Sequence, residues 1–213
     1  MKNLLIGDSH FMFPCAPSPV IASFINQYDI CAVPGLPCDD RFLKDKLEEY
    51  RAARVIFWSC GHPLFGVRRW QEIRQKQALP MAERLLVYQG SDRYMFKRAY
   101  YGQITPEQSW GLFERYLEMV DYWLGEYGNL VLVPLLLWVA PEFYPLPASL
   151  GQGAQREMIL ERYGGRRVDL SEIDGRDNRN FLDEQGHLSM RGYELLVGCL
   201  KRALPDSKTP NRE

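Results

Sequence analysis

Apolar residues occur along this chain in short runs separated by amphipathic segments, a pattern typical of strands that alternate with helices. The predicted strands are Asn3–Ile6, Tyr28–Val33, Arg54–Ser59 and Leu130–Val139, with shorter candidates at Leu85–Tyr88 and Arg167–Leu170. A bulge or break is expected at Pro134, because proline cannot donate a hydrogen bond to a neighbouring strand. Nearly continuous apolar runs are expected in strands buried on both faces, so the pattern predicts a mostly parallel sheet between two layers of helices.

The helices are predicted from apolar residues spaced three and four positions apart. The clearest helix begins at Thr105, where the sequence Thr105-Pro106-Glu107-Gln108 supplies an N-cap, a proline at the first helical position and a capping-box glutamine. Gly128 is its expected stop signal. The other predicted helices are Asp40–Ala53, Gln152–Tyr163 and a last helix capped by Ser189.

Length and composition predict a single domain, which we take as residues 1–213. The chain has 213 residues, of which 46% are hydrophobic and 25% charged, close to the average for a globular protein. Residues 66–104 fit the strand–helix alternation poorly and are rich in basic and aromatic residues. We interpret them as an insertion: either a lid that binds an anionic acyl carrier or phosphate, or a solvated segment with aromatic anchors.

Charge and cysteine content narrow the expected partners and compartment. The formal net charge is −1 with both signs mixed along the chain, which favours neither nucleic acid nor an anionic membrane as a partner. No apolar run reaches the ~18 residues that a membrane span needs, and the N-terminal apolar stretch is too short for a signal peptide. The five cysteines are odd in number and show no CxxC spacing, so we expect reduced thiols in a cytoplasmic protein.

Polar side chains follow several of the predicted strands, at the edge where parallel α/β sheets bind ligands. They lie in Gly7-Asp8-Ser9-His10, at Gly35, in Ser59-Cys60-Gly61-His62 and in a loop that ends at His187. A serine hydroxyl becomes a nucleophile when a histidine accepts its proton and a carboxylate orients the imidazole. Ser9, His187 and an acid at position 183 or 184 supply these three groups. A helix N-terminus after the first strand would also place backbone N–H groups near Ser9 to stabilise an oxyanion.

Two of these segments resemble the SGNH hydrolases, also called GDSL-type esterases and lipases. Gly7-Asp8-Ser9 after the first strand is similar to the opening block of that family. Phe181–Tyr193 contains an acid, His187 and a Gly-aromatic pair, and is similar to the last block. The order and separation of the two blocks also match. The resemblance implies a flavodoxin-like, three-layer α/β/α fold with a mostly parallel sheet, and ester or acyl chemistry without a cofactor.

The resemblance also implies individual roles. Ser9 would be the nucleophile and first oxyanion donor, Gly35 would donate a second N–H to the oxyanion, and His187 would be the base. The acid stays open, because Glu184 has the three-residue spacing of the family whereas Asp183 has its residue type. Further candidates for oxyanion or substrate binding are Gly61, His62, Asp8 and His10. For Asp8, service to the turn through its side-chain oxygens is an alternative.

The third block of the family departs from its pattern in this chain. A Gly-x-Asn-Asp segment is expected after the strand Arg54–Ser59, where the asparagine side chain completes the oxyanion hole. The sequence here is Cys60-Gly61-His62-Pro63, in which Gly61 matches the glycine and no asparagine follows. Loss of one oxyanion donor costs on the order of 10²–10³ in rate. His62 is the candidate for a replacement donor.

Three functions are consistent with these residues. The first is a serine hydrolase or acyltransferase that acts on an O-acyl ester of a small molecule, a sugar or a biosynthetic intermediate, free or carrier-bound. The second is a non-catalytic SGNH-like binding or assembly protein that has lost the oxyanion asparagine. The third is a metal-dependent enzyme that uses the histidines together with Asp8, but their spacing matches no local metal motif, so we assign no metal ligand.

Overall fold

The computed structural model describes residues 2–32, 40–59, 105–134, 152–182 and 187–204 of the chain. Within these residues the strands are β1 (Asn3–Gly7), β2 (Tyr28–Ala32), β3 (Ile56–Trp58) and β4 (Leu130–Leu132). The helices are α1 (Pro19–Ile25), α2 (Asp40–Glu49), α3 (Pro106–Glu126), α4 (Gln152–Arg162) and α5 (Met190–Ala203). All strand pairs are parallel, in the order β2-β1-β3-β4, so β1 lies inside the sheet.

Alternate side chains of the central strands enter two separate apolar cores. Leu4 of β1 and Trp58 of β3 belong to one core, which α2, α3 and α4 close. Leu5 and Phe57, one position away in each strand, belong to the other core, which α1 and α5 close. Because side chains alternate between the two faces of a strand, helices cover both faces of the sheet. The predicted three-layer α/β/α fold is confirmed.

Helix α3 begins and ends through identifiable hydrogen bonds. The N–H of Gln108 donates to Thr105 Oγ1 at 3.2 Å, and the Gln108 side chain accepts from the Thr105 N–H at 3.1 Å, as the capping box predicts. At the other end, the guanidinium of Arg166 donates to the carbonyls of Leu124 and Tyr127 at 3.1 and 2.9 Å. These bonds satisfy carbonyls that lack a partner within the helix. Neither α3, which is 21 residues long, nor any other described helix has both the length and the apolar character needed to cross a membrane.

Several predicted boundaries differ from those of the structure. Helix α2 ends at Glu49 instead of Ala53, because a turn follows in which the Ala53 N–H donates to the carbonyl of Tyr50 at 2.7 Å. The predicted strand Arg167–Leu170 is reduced to one isolated parallel bridge between Leu132 and Arg167. The helix N-terminus expected near Ser9 is wrong: Ser9–Phe11 form only a 3-10 turn, and helix α1, whose range was not predicted, begins at Pro19. Residues 66–104, including the candidate strand Leu85–Tyr88, lie outside the described residues.

Candidate active site

The turn that follows β1 carries Ser9 at the carboxyl edge of the sheet. Gly7 ends β1, and a Cβ atom at this position would lie 2.8 Å from the Cβ of Ser59, the residue after β3. Only glycine therefore lets the two backbones approach this closely without a shift. Ser9–Phe11 form a short 3-10 turn with Asp8 as its N-cap, and Asp8 Oδ1 accepts the His10 N–H at 3.0 Å. The turn contact that was the alternative for Asp8 is therefore present, and its role in oxyanion or substrate binding stays a prediction.

The backbone of His187 is held by a short antiparallel pairing before α5. Phe181 and Leu188 form an isolated antiparallel bridge, and the Leu182 N–H donates to the carbonyl of His187 at 2.7 Å. Ser189 follows as the N-cap of α5, as predicted, with its Oγ accepting an N–H from the first turn of the helix. Main-chain hydrogen bonds thus fix His187 and Ser189, whose N–H donates to the carbonyl of Asn180 at 2.9 Å.

Helix α5 packs against the turn that carries Ser9. The hydroxyl of Tyr193 donates to the carbonyl of Met12 at 2.9 Å, and its ring lies 5.0 Å from that of Phe13. As a result, Ser9 Oγ and His187 Nε2 lie 3.0 Å apart although 178 positions separate them in the sequence. This is the distance that a nucleophile and its base require.

Asp8 and His10 form a pair beneath these two side chains. Asp8 Oδ1 lies 2.8 Å from His10 Nδ1, and the two residues are only 8% and 5% exposed. The imidazole of His10 is stacked on that of His187, with ring centroids 5.3 Å apart and planes inclined at 24°. The site thus contains two histidine rings in contact, one facing Ser9 and the other bound to Asp8.

The pKa of Asp8 reflects opposing effects. Burial alone raises the pKa, because the carboxylate loses its hydration. The charge of His10, hydrogen bonds from the His10 ring and backbone, and the charge of His187 together hold the pKa of Asp8 below its usual 3.8. Asp8 is therefore ionised, and it accepts both hydrogen bonds from His10. Burial, followed by the charge of Asp8, raises the pKa of Tyr193 to about 12, so this hydroxyl remains a donor near neutral pH.

The structure brings together four of the candidate residues, namely Asp8, Ser9, His10 and His187. The other five lie outside the described residues, and their roles stay predictions; they are Gly35, Gly61, His62, Asp183 and Glu184. The burial of Asp8 and His10, and the bonds between them, favour a supporting role over contact with a substrate. Among the described residues, no group of three or more His, Cys, Asp or Glu side chains is arranged to hold a metal ion.

Two contacts of the site were not found from the sequence. One is the hydrogen bond between Tyr193 and the carbonyl of Met12. Tyr193 is the aromatic residue of the Gly-aromatic pair in the last block, but that motif does not indicate which group its hydroxyl would bind. The other is the stacking of His10 on His187. The spacing Asp8-x-His10 could have indicated a side-chain hydrogen bond within the turn, but nothing in the sequence indicated which ring His10 would contact.

No protein-family model matches this sequence, and no curated protein matches it. Among solved structures, the fold is similar to that of a protein from Bacteroides fragilis named as an acylhydrolase, with a TM-score of 0.52 and 11% identity over 95% of this chain and 86% of that chain. The acetylxylan esterase Axe2 from Geobacillus stearothermophilus matches at 14% identity and a TM-score of 0.47, over 99% of this chain and 97% of the esterase. A lipase from a goat rumen metagenome matches at 15% identity and a TM-score of 0.49, over 95% of this chain and 97% of the lipase.

These identities bear on the fold alone, and of the three structures, that from Bacteroides fragilis has a TM-score above 0.5. The chain has the α/β/α architecture that its resemblance to the SGNH hydrolases implies. The resemblance is confirmed at the level of the fold.

Proposed function

We propose that this protein is a serine-dependent esterase or acyltransferase of the SGNH type, acting on an O-acyl ester. The observation that carries the proposal is the 3.0 Å distance between Ser9 Oγ and His187 Nε2. An unassisted serine hydroxyl is a weak nucleophile at neutral pH, and a histidine nitrogen at this distance can accept its proton as it attacks. The fold adds support, since the pair lies at the carboxyl edge of a parallel sheet, where α/β proteins bind their ligands.

The reaction proceeds in two half-reactions. Nε2 of His187 takes the hydroxyl proton of Ser9 while Oγ bonds to the ester carbonyl carbon, and the carbonyl π electrons move to oxygen. The tetrahedral intermediate collapses, the bond to the alcohol oxygen breaks, and the alcohol leaves with the proton from His187. Water or an acceptor hydroxyl then attacks the acyl-serine in the same way, which releases the acid or a new ester and restores Ser9.

The turn itself offers one donor for the oxyanion. The N–H groups of His10, Phe11 and Met12 donate to Asp8 Oδ1, the Asp8 carbonyl and the Ser9 carbonyl. The hydrogen bonds described within this turn do not use the N–H of Ser9, so we assign the first oxyanion contact to it. Gly35, Gly61 and His62 are the proposed sources of further donors, and Asp183 or Glu184 is the proposed acid.

The substrate and compartment are proposed more broadly. We assign as substrate an acyl ester of a small molecule, a sugar or a biosynthetic intermediate, either free or carrier-bound. We assign the protein to the cytoplasm. The formal net charge of −1 supports a partner other than nucleic acid or an anionic membrane. Whether hydrolysis or transfer dominates depends on how well the site excludes water from the acyl-serine.

Labelling of Ser9 tests the proposal. A fluorophosphonate probe should label the wild-type protein, and Ser9→Ala should abolish both labelling and turnover of short p-nitrophenyl esters. Ser23→Ala, at an exposed serine of α1, is the matched control and should retain both. Equal labelling of the wild type and Ser9→Ala would refute Ser9 as the nucleophile.

The absence of the third-block asparagine favours a second candidate, a non-catalytic binding or assembly protein. This candidate predicts thermal stabilisation by a ligand and no acyl adduct after incubation with activated esters. Intact-mass spectrometry distinguishes the two functions, because only a working Ser9 gains the mass of the acyl group.

A further inference from the structure

A second histidine lies directly against the proposed base. The ring of His10 is stacked on that of His187, and Asp8 holds His10 by two hydrogen bonds, to the ring Nδ1 at 2.8 Å and to the backbone N–H at 3.0 Å. Two bonds to one carboxylate oxygen fix both the backbone and the side-chain torsion of His10. Its ring therefore presents a flat surface of fixed orientation to His187.

We propose that Asp8 and His10 are a positioning pair that holds the imidazole of His187 in the plane from which Nε2 meets Ser9. The inference rests on the proposed function, in which His187 is the base. For that role Nε2 must be unprotonated and face Ser9 Oγ, so the neutral ring carries its proton on Nδ1. Rotation of the ring about its Cβ–Cγ bond would turn Nε2 away and drive the ring edge toward His10, which the stacking opposes.

The positioning pair is built to stay in place. Asp8 is ionised and 8% exposed, and a buried charge is tolerated only when it is paired and hydrogen-bonded. Movement of His10 away from Asp8 would leave that charge without its ring partner. The stability of this hydrogen-bonded pair is thus linked to the orientation of the ring on which His187 packs. Neither residue needs to touch the substrate for this role.

Two substitutions distinguish the effect of the His10 ring from the effect of its hydrogen bond to Asp8. His10→Phe keeps a flat ring but cannot donate to Asp8, whereas His10→Asn keeps a donor near the place of Nδ1 but has no ring. We expect kcat for p-nitrophenyl acetate to fall about tenfold or more in His10→Asn and by less, about threefold, in His10→Phe, which keeps the ring but loses the hydrogen bond that fixes it; KM should change less than about twofold in both. If His10 serves only to satisfy the buried carboxylate, the order is reversed. That reversed order, or equal kcat in the two variants, overturns the proposal.

A control for stability accompanies these variants. Phe24→Leu removes volume at a fully buried residue of α1 and should lower Tm without changing kcat by more than about twofold. His10→Phe should lower Tm more than His10→Asn does, because it leaves a buried carboxylate without its ring donor. A loss of kcat that follows Tm across all three variants would count against positioning.

The tautomer of His187 gives a readout that needs no turnover. In protein labelled with ¹⁵N-histidine, long-range ¹H–¹⁵N NMR spectra should show one tautomer of His187, with its proton on Nδ1, in wild type and His10→Phe, and a mixture in His10→Asn. This pattern in a protein that neither turns over esters nor is labelled at Ser9 would reject the proposed function and keep the positioning pair. Active protein in which the His187 tautomer is the same in all three forms would keep the proposed function and reject the pair.

Discussion

The hydroxyl of Tyr193 donates a hydrogen bond to the carbonyl of Met12 at 2.9 Å, and so joins residues that are 181 positions apart. Tyr193 lies in the first turn of α5, four residues after the N-cap Ser189, and Met12 closes the turn that carries Ser9. The bond therefore links the backbone segment of the proposed nucleophile to that of the proposed base. The contact is buried on the α5 side, where Tyr193 is 5% exposed.

Tyr193→Phe should weaken both the fold and the reaction. Loss of the hydroxyl leaves the Met12 carbonyl short of a donor, which we expect to cost about 1 kcal/mol of unfolding free energy. We also expect kcat to fall more than KM rises, because the change loosens the distance between Ser9 and His187. Urea unfolding and ester kinetics measure the two effects. Tyr122→Phe, at a half-exposed tyrosine of α3, should change neither, and a similar loss there would contradict the assignment.

Gly7→Ala should destabilise the protein at the start of the site. The added methyl group would meet the Cβ and carbonyl oxygen of Ser59 at 2.8 and 3.1 Å, and relief of such overlap in a tight core costs about 1–3 kcal/mol. Gly111→Ala is the matched control, because among the described residues nothing outside its two neighbours and the helix's own backbone lies within 4 Å of a Cβ added at that position in α3. Alanine there should stabilise the helix by about 0.5–1 kcal/mol. Chemical denaturation of both variants checks the opposite signs, and equal signs would contradict this account.

Asp8→Asn should alter the pH dependence of the unfolding free energy. The pKa of Asp8 is lowered in the folded protein, so its contribution to stability is fully present above the usual value of 3.8 and is lost as the pH falls below it. Asparagine cannot ionise, so the wild type should lose more stability than Asp8→Asn between about pH 4 and pH 2. Urea unfolding at several pH values measures this, and parallel curves for the two proteins would contradict it.

Arg166→Leu should destabilise the fold while sparing the chemistry. The guanidinium donates to carbonyls at the end of α3 and to the Leu130 carbonyl at 2.9 Å, and loss of these charged hydrogen bonds should cost about 1–3 kcal/mol. Arg162→Leu is the control: its ion pair with Asp121 is half-exposed and worth about 0–1 kcal/mol. At temperatures where both variants remain folded, kcat should equal that of wild type. A larger loss of stability for Arg162→Leu would reverse the assignment.

The sequence predicted best those helices and strands whose ends are marked by local motifs such as caps. Helix α3 was expected from Thr105 because the capping box is local, and the structure has both of its hydrogen bonds. Helix α1 was missed because only Ile21 and Phe24 of its seven residues are buried, too few for a clear helical period. Val168 and Leu170 are apolar at alternate positions and do enter the core. They resemble a strand for that reason, although pairing with β4 stops at one bridge.

The sequence also predicted part of the site: the residues with local motifs, but not their tertiary contacts. Ser9 and His187 were expected together from the resemblance of two short blocks, and the structure places their side chains within hydrogen-bonding distance. The stacking of His10 on His187 could not be predicted, because it depends on how α5 approaches the turn after β1. That approach is a property of tertiary packing, which one sequence does not encode in any local pattern.

The separation of Ser9 from His187 by 178 positions also bears on how the protein is made. During translation Ser9 is made before His187, and strands β2–β4 and helices α1–α4 are synthesised between them. A nascent chain in that interval has the proposed nucleophile without the proposed base, so we expect it to be unreactive toward esters. The proposed activity should therefore arise only once α5 has emerged from the ribosomal tunnel and packed against the sheet.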